Sequence, residues 1–560
     1  MSLIDYIVIF IFTLIVVSAG IAFKNRGVDL KSYFAAGGSV HWAKSGLSLY
    51  MSFFSAGTFV VWGSIAYEQG LVAVIIQMTM CVSGFIVAYF IAPAWRKTKS
   101  LTAAEFIRRR FGKSVQQFLT YVILILSLIY AGAFLYPVAK MINISTGFSI
   151  NACIISLGLL IMTYTVIGGL WAVIITDVLQ FVILSASVIL VVYLSLIEVG
   201  GLVKFIEKAP PHFFDLTSKE YNWSFILGMT VFNIVYVGGN WAYVQRYLSV
   251  KNTWDARRVA LIFGWLYFFS PFLWMLPPMV YRVLNPSLLG LENEGAYLLI
   301  CKQVLPIGFL GLMIGGMIFA TASSVNTTIN LAASVITNDL FKSIKPNASL
   351  KKTMMVAKLS TFLFGIGAII VALVVPTAGG IVNVVLSVGA ITGCSIYAPL
   401  IWAIFSKRLT SQSLITITIT SLIINIFLKI FSYKILEFSF SRANEMLLGS
   451  IIPLILLGVI ELYKLRSNKP NKEYICYEKQ KLTIEDSPGI EEQNIFAYKV
   501  LSITLFLISI LIFIIAFISS LVEGIILIIG GSILFIGFVL HPTLRTKIKL
   551  YFKFDDKEKF

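Results

Sequence analysis

The chain has 560 residues, of which 58% are hydrophobic and only 12% are charged, and its formal net charge is +18. A soluble domain carries about 25% charged residues, so this composition excludes a chain that covers a water-facing surface with polar groups. The positive charge does not indicate a nucleic-acid partner, because the basic residues form short clusters between apolar segments. The five cysteines are scattered and form no metal-type pair, which argues against a zinc site or a disulfide.

About 15 apolar segments follow one another, each near the ~20 residues that cross a bilayer as a helix. They begin near Leu3, His41, Leu71, Val115, Ile150, Trp171, Trp223, Arg258, Leu305, Met355, Gly379, Ser413, Leu447, Ile495 and Val522. The alternation of a β-barrel is missing, so helices must satisfy the backbone in lipid. The sequence therefore predicts an all-α polytopic membrane protein. We interpret its first segment as a retained span, because it lacks the basic region of a signal peptide.

Basic residues are concentrated in alternate loops. The rich set includes Arg108-Arg109-Arg110, Arg246, Lys407-Arg408, Lys464 and Arg545, and the poor set includes Lys204 and Lys434. The positive-inside rule then predicts a multi-pass protein of the cell (inner) membrane with its N-terminus outside and its C-terminus in the cytoplasm. Residues 465–494 form a long polar stretch of mixed charge, which predicts a solvated cytoplasmic linker.

Two apolar segments contain small and polar residues that hold a helix poorly. Ser52–Thr58 lies in the second segment, and Tyr236–Asn240 lies five segments later. Paired interruptions at matching positions in two halves are typical of a transporter site at mid-membrane, where broken helices free carbonyls for a cation and N–H groups for a solute. Close helix packing through small residues is the alternative explanation for either stretch alone.

The ninth segment carries hydroxyl and amide side chains at three- and four-residue steps, which place them on one helix face. They are Ser323, Thr327, Asn330 and Ser334. Such hard oxygen ligands favour a small cation such as sodium, although each hydroxyl could instead bond a carbonyl of its own helix.

Asp177 lies just inside the sixth segment. A carboxylate at bilayer depth costs at least ~2.5–3.5 kcal/mol and usually faces a cavity or a partner, and a helix-end position near water is the alternative. Gln77 lies within the third segment and could bond a solute or bridge two helices. The sequence shows neither a Walker A motif nor a Gly-x-Ser-x-Gly motif, so an ATP-driven pump and a hydrolase lack their parts.

The stretch from Tyr164 to Gln180, with Gly168-Gly169 and Thr176-Asp177, resembles the signature of the sodium:solute symporter family. Ala320-x-x-Ser323-Ser324 resembles the family's sodium-binding helix, and Ser52–Thr58 its broken first core helix. The resemblance runs from about Leu3 to Tyr463 and implies an inverted five-helix repeat of the leucine-transporter type. The expected units are an extra N-terminal span (1–40), a first inverted repeat (41–199), a second inverted repeat (200–406), peripheral spans (407–464), a cytoplasmic linker (465–494) and a C-terminal helical hairpin with a basic tail (495–560).

The resemblance also implies two sets of sodium ligands. The main sodium site would use the backbone carbonyls of Met51, Phe54 and Ala320 and the hydroxyls of Ser323 and Ser324. A possible second sodium site, as in sialic-acid members of the family, would use Asp177, Ser323, Asn326 and Thr327. Asn326 stands where those members have a hydroxyl residue.

The sodium/galactose and sodium/sialic acid members together imply the solute-binding positions. These are Ser55, Thr58, Gln77, Asn233, Tyr236, Asn240 and Tyr267, with Tyr236 as an aromatic inner gate. Tyr267 stands where the sugar-binding member has a lysine, and the carboxylate-binding arginine of the sialic-acid members aligns near Ala133.

Neutral hydrogen-bonding side chains at these positions favour a sugar or sugar derivative, including sialic acid, as the solute. We expect sodium-coupled secondary active symport by alternating access, with the sodium ion as the cofactor, and no enzymatic activity. Symport of a monocarboxylate or another small organic acid is the alternative within this class. A channel or a solute receptor is the alternative from a different class.

Overall fold

The computed structural model describes residues 1–22, 40–100, 102–165, 170–341, 344–345, 347–378, 381–436, 441–465, 471–482, 491–518 and 523–542. This part of the chain is almost entirely helical and contains no strand. The predicted all-α class is therefore confirmed for the described residues. Gly168-Gly169 of the signature lies outside them.

The helices of the first half lie in the following order. They are α1 (Leu3–Ile21), α2 (Trp42–Phe53), α3 (Thr58–Gln69), α4 (Leu71–Lys97), α5 (Ala103–Phe111), α6 (Lys113–Thr146), α7 (Ile150–Thr165), α8 (Leu170–Val199), α9 (Leu202–Lys208), α10 (Trp223–Gly239), α11 (Trp241–Leu248) and α12 (Thr253–Leu284).

The helices of the second half continue this order. They are α13 (Ala296–Val304), α14 (Phe309–Val335), α15 (Leu350–Val374), α16 (Ile381–Phe405), α17 (Ser411–Leu436), α18 (Arg442–Leu465), α19 (Lys472–Leu482), α20 (Glu491–Ile518) and α21 (Glu523–Leu540).

Within the described chain, nine helices are long and apolar enough to cross a membrane, or up to eleven if each of two bent pairs counts as one span. The sequence predicts about 15 spans, and the structure does not confirm that number. The difference lies in α1, α7, α14 and α21, whose described apolar stretches are only 10–17 residues long. The structure thus supports a multi-pass helical bundle and leaves the number of spans a prediction.

Both predicted interruptions are sharp bends. The α2 and α3 helices meet at 57°, and the α10 and α11 helices meet at 56°. The first bend arises because Phe54 is extended (φ −93°, ψ 109°), and the second because Asn240 is extended (φ −65°, ψ 126°). Asn240 then caps α11, since its side-chain oxygen accepts from the amide of Ala242 at 3.0 Å.

Small residues let the helices of the bundle approach closely. At the crossing of α4 and α12, a Cβ atom on Gly84 would lie 2.7 Å from the Cα atom of Gly264. No side chain fits into that space, so glycine at this position sets the distance between the two helices.

The described part of the predicted linker contains a helix, α19, that contacts the end of the bundle. Within it, α19 docks against α5, and the ring of Tyr477 is only 5% exposed. The guanidinium of Arg110 lies 4.7 Å from the ring of Tyr474, and Ser411 donates to the carboxylate of Glu473 at 2.8 Å. Tyr474, Tyr477 and Glu473 therefore have partners on the end of the bundle, while the other described residues of α19 are exposed or half-buried, and the cytoplasmic linker stays a prediction.

Candidate functional site

The backbone of the first bend is held by the hydroxyls of Ser55 and Thr58. The amide of Gly57 donates to Ser55 Oγ at 3.2 Å, and Thr58 Oγ1 donates to the carbonyl of Phe53 at 3.3 Å. Both residues are buried. In this structure they bond the broken backbone itself, so their predicted contact with a solute stays a prediction.

The α14 helix faces this bend and brings more oxygen atoms to it. Ser324 Oγ lies 3.5 Å from the carbonyl oxygen of Ser52 and 3.4 Å from that of Ala320. These contacts are at the long end of hydrogen-bond geometry, and all three groups are neutral oxygen ligands of the kind that suits sodium. Of the predicted carbonyls, that of Met51 accepts from the amide of Phe54 at 3.1 Å. The residues present therefore fit a sodium site between the first bend and α14.

Thr321 makes a contact at the bend that the sequence analysis missed. The amide of Ala56 donates to Thr321 Oγ1 at 2.9 Å, which ties the broken segment to α14. The sequence offers one signal for this contact, because Thr321 is a hydroxyl residue that directly follows Ala320 in a run of polar residues. Five predicted side chains of α14 lie outside the described residues, namely Ser323, Asn326, Thr327, Asn330 and Ser334.

Asp177 is fully buried on α8, so the alternative of a helix end near water is wrong. Ser48 Oγ donates to Asp177 Oδ2 at 2.6 Å, and Arg246 Nη2 lies 4.0 Å from the same oxygen. Arg246 is 1% exposed, although its charge cluster predicts a cytoplasmic loop. Asp177 therefore has partners on both broken helices, and a cation bound at this carboxylate would share it with the guanidinium.

Tyr236 lies just before the second bend, inside a group of aromatic rings. Its ring stacks on Phe232 at 5.2 Å between centroids and contacts Tyr243 at 5.5 Å and Phe53 at 6.0 Å. Phe53 is the last residue of α2, so the tyrosine touches both broken helices. This position is consistent with the predicted aromatic gate.

A cavity brings part of the predicted sodium site together with Tyr236 and Asn240. Its lining consists of Ser52, Ile123, Ser127, Tyr130, Phe134, Tyr236, Asn240, Ala242, Tyr243, Ser324, Thr328, Leu331 and Tyr397. Along α14 it extends from Ser324 toward Leu331, and along the second broken helix it reaches α11. The cavity thus extends from the two bends toward the ends of α14 and α11 that are predicted to be cytoplasmic.

Asn233 lies one turn before Tyr236 and is fully buried. Its Nδ2 donates to Thr79 Oγ1 at 2.8 Å, and Thr79 in turn donates to the carbonyl of Ile76 at 2.6 Å. Because the hydroxyl proton of Thr79 already bonds the carbonyl of Ile76, the Asn233 atom that faces Thr79 Oγ1 must be the amide nitrogen. The Oδ1 atom of Asn233 is then left without a hydrogen-bond partner among the described residues.

Of the seven predicted solute positions, Tyr236 and Asn240 line this cavity. The other five do not, namely Ser55, Thr58, Gln77, Asn233 and Tyr267. Tyr267 is 1% exposed, with its ring 5.2 Å from Tyr50 and 4.8 Å from Phe263. Gln77 is 2% exposed on α4, two positions before Thr79 and therefore on a different side of that helix. The structure does not bring either residue to the cavity beside Tyr236.

A family profile and several relatives match this chain. The profile of the sodium:solute symporter family matches residues 33–420. The sodium/glucose cotransporter 1 of Mus musculus is 28% identical over 508 residues, which are 82% of this chain and 75% of that protein. The sodium/glucose cotransporter of Vibrio parahaemolyticus is 26% identical over 470 residues, which are 77% of this chain and 86% of that protein.

A solved structure shares the fold. The substrate-bound, outward-open structure of a Na+-coupled sialic acid symporter matches with a TM-score of 0.71 at 23% identity, over 84% of this chain and 99% of that chain. The family profile covers more than half of the chain, and the two bends and Ser324 of α14 lie within the matched region. The chain belongs to the sodium:solute symporter family, and its ion is sodium.

Proposed function

We propose that this chain couples the inward movement of sodium to the uptake of a neutral, polyhydroxylated solute, a sugar or sugar derivative. Family membership supports the sodium coupling. The choice of solute rests on the unpaired Oδ1 atom of Asn233, which lies on α10 before the second bend.

The observation that carries the proposal is the unpaired Oδ1 atom of Asn233. A buried acceptor without a partner costs about 1–3 kcal/mol, so a ligand that donates a hydrogen bond gains from reaching it. A sugar hydroxyl is such a donor, whereas a carboxylate has only acceptors and would be repelled. The names of the mouse and Vibrio relatives, both sodium/glucose cotransporters, support the same solute class.

The transport cycle follows from the bends. Sodium held by Met51, Phe54, Ala320, Ser323 and Ser324 would fix the first broken helix against α14. The solute would bind beside it, and rocking of the broken helices would open the cavity past Tyr236. One sodium ion gains about 2.3 kcal/mol at 100 mV and about 1.4 kcal/mol from a tenfold gradient, which supports roughly 500-fold accumulation of the solute.

A second sodium ion at Asp177, with Ser323, Asn326 and Thr327, belongs to the same proposal. It would square the attainable accumulation. The burial of Asp177 supports a functional carboxylate, since charges at bilayer depth usually mark ion pathways. Because Arg246 already pairs with Asp177, a second sodium ion at this carboxylate would have to weaken that ion pair.

We further propose the two inverted repeats at residues 41–199 and 200–406, the orientation with the N-terminus outside, and the remaining spans among the shorter apolar helices. The two bends of 57° and 56° support this division, because one lies near the start of each repeat.

A thermal-shift assay on detergent-purified protein tests the solute and the ion together. Melting is compared in sodium and in potassium with D-glucose, myo-inositol, N-acetylneuraminate and propionate, since a ligand of the folded state raises its apparent stability. We expect a rise that requires both sodium and a neutral polyhydroxylated solute. A rise with propionate alone would favour the organic-acid alternative, and equal melting in both cations would contradict sodium binding.

Accumulation in proteoliposomes then separates a symporter from the other classes. An inward sodium gradient should concentrate the stabilising solute above its external level. A channel would only equilibrate it, and a receptor would bind it without uptake.

A further inference from the structure

The α1 helix contains a buried carboxylate, Asp5, in an otherwise apolar sequence. The residue is 3% exposed. Its Oδ1 atom accepts from the amide of Gly308 at 2.9 Å and from that of Gly311 at 3.1 Å. Its Oδ2 atom accepts from the amide and the hydroxyl of Ser2 at 2.8 and 2.9 Å. Both oxygens of the carboxylate are therefore occupied by donors.

The amides that Asp5 binds are those at the start of α14, the helix of the proposed sodium site. The first amides of a helix have no partner within it, and a local Ser, Thr, Asp or Asn usually supplies one. At this helix the N-cap residue is Gly308, which has no side chain to do so. The cap is thus delivered by Asp5, 303 positions earlier in the chain.

The contact between the two helices continues from Asp5 toward the sodium ligands. A Cβ atom on Gly311 would lie 2.3 Å from the backbone oxygen of Asp5, so the two backbones touch there. Two turns further, the ring of Phe12 packs edge-on against Phe319 at 5.9 Å, and it would lie 3.0 Å from a Cβ atom on Gly315. Phe319 directly precedes Ala320.

These contacts fix α14 along its axis as well as around it. The hydrogen bonds of Asp5 prevent sliding, because both bonded amides are at one end of the helix. The Phe12 ring against Phe319 prevents rotation about one turn away from Ser324. The helix rises about 1.5 Å per residue, so Asp5 acts on Ala320 from about 14 Å away through a rigid element. A binding site needs its ligands held within about 0.5 Å, and these contacts restrain α14 from outside the site.

We propose that Asp5 is a positioning residue for sodium binding, which sets the register of α14 and thereby the affinity of the ion. The inference rests on the sodium site proposed above. It gives the first helix a role in transport, although that helix contributes no ligand to the ion.

The test measures the sodium concentration for half-maximal thermal stabilisation and for half-maximal uptake, each on purified protein. Asp5→Ala removes all four hydrogen bonds and should raise that concentration by about tenfold, as a loss near 1.4 kcal/mol would. Asp5→Asn keeps one oxygen for the two amides of α14. Its half-maximal sodium concentration should therefore stay within about threefold of the wild-type value. Asp215→Ala removes an exposed carboxylate from a loop and is the matched control, with no expected change.

A second pair of variants covers the case in which Asp5→Ala does not fold. Gly311→Ala pushes α14 away from α1 at the point of closest approach and should also weaken sodium binding. Gly531→Ala adds the same methyl group to a helix with no atom within 4 Å and should not. A lower melting temperature with unchanged sodium dependence in Gly311→Ala, or in an Asp5→Ala protein that folds, would overturn the proposal. If the melting and the uptake of the wild-type protein did not depend on sodium, the proposed function itself would be contradicted.

Discussion

The carboxylate of Asp177 and the guanidinium of Arg246 face each other across 4.0 Å, and both side chains are fully buried. They lie on α8 and on α11, the second part of the second broken helix. Ser48, on the first broken helix, donates to the same carboxylate. One buried charge pair, with Ser48, thus joins α8 to both broken helices.

Breaking this pair from one side should be costly. Asp177→Asn leaves a buried guanidinium unpaired and should destabilise the protein by roughly 3–5 kcal/mol, whereas Asp177→Asn with Arg246→Gln removes both charges and should recover most of that loss. Melting temperatures of the single and double variants check this.

The double variant also tests the proposed second sodium site. We expect it to fold, to keep a single sodium-binding step and to lose the sigmoidal dependence of uptake on sodium. Wild-type cooperativity in the double variant would mean that Asp177 is structural only.

Ser324 is the described hydroxyl of the proposed main sodium site. Ser324→Ala should raise the sodium concentration for half-maximal uptake by at least about tenfold, as the loss of one ligand worth about 1.4 kcal/mol would. The matched control is Thr337→Ala, because Thr337 is equally buried and bonds only the carbonyl of Ala333 in the same helical run. Sodium-dependent uptake in proteoliposomes measures both. Equal sodium dependence in the two variants would contradict the site.

In the proposed function, the unpaired Oδ1 atom of Asn233 accepts a hydrogen bond from the solute. Asn233→Leu should raise the KM for the hydroxylated solute by about tenfold at saturating sodium, in line with one lost hydrogen bond of about 1.4 kcal/mol. Sodium-induced stabilisation without solute should not change, because Asn233 lies outside the sodium site. Thr230→Ala on the same helix is the control, since Thr230 bonds the carbonyl of Ile226. Initial uptake rates against solute concentration decide between a KM effect and a general loss.

The sequence predicts the bends well because their causes are local. Small and polar residues at Ser52–Thr58 and Tyr236–Asn240 weaken the helix where they occur, and the bends of 57° and 56° follow at these positions. The apolar character of each span is equally local, so the helical class and most of the helices are predictable from one sequence.

The contacts that complete the site are not local, and one sequence does not reveal them. Thr321 and Ala56 are 265 positions apart, and Asp5 and Gly308 are 303 positions apart. Arg246 illustrates the same limit, because its position in a basic cluster predicts a cytoplasmic loop while the fold buries it against Asp177. Tyr267 matches a solute-binding position, yet its neighbours Tyr50 and Phe263 draw its ring into an aromatic cluster.

A buried carboxyl on the predicted outer side should make stability depend on pH. Burial raises the pKa of Glu294, whose oxygen accepts from the amide of Ile381 at 3.1 Å at the start of α16. A raised pKa means that the folded protein binds the proton more tightly than the unfolded chain does. This stabilisation is complete below the ordinary pKa of 4.5 and is lost as the pH rises through the folded value.

The expected result is a melting temperature that falls as the pH rises above 4.5, with a flatter profile in Glu294→Gln. Glu292→Gln alters an exposed carboxylate in the same segment and should leave the wild-type slope. Melting in matched buffers from acid to neutral pH measures all three proteins. Parallel profiles for wild type and Glu294→Gln would assign the slope to other groups.

The docked helix α19 is connected to the second bend by a short series of contacts. Tyr477 packs edge-on against Phe106 at 5.6 Å, and Phe106 packs against Trp95 at 5.3 Å. The indole of Trp95 is fully buried and donates to the carbonyl of Gly238 at 2.7 Å. Gly238 lies two residues before the bend at Asn240, so the linker supports the backbone of the proposed inner gate.

Removing the ring at the outer end of this series should loosen the bend. In Tyr477→Ala we expect faster backbone hydrogen exchange in α11. In the wild type, local opening of α11 disrupts the packing of Phe106 and Trp95 on the Tyr477 ring. Without that ring, the opening costs less free energy. Tyr474→Ala is the matched control, since it removes a ring of the same helix that lies over Arg110. Exchange measured by mass spectrometry should therefore rise in α11 for the first variant and stay near wild type for the second. If both variants speed exchange only in α19 and α5, the linker helix is docked but not coupled to the gate.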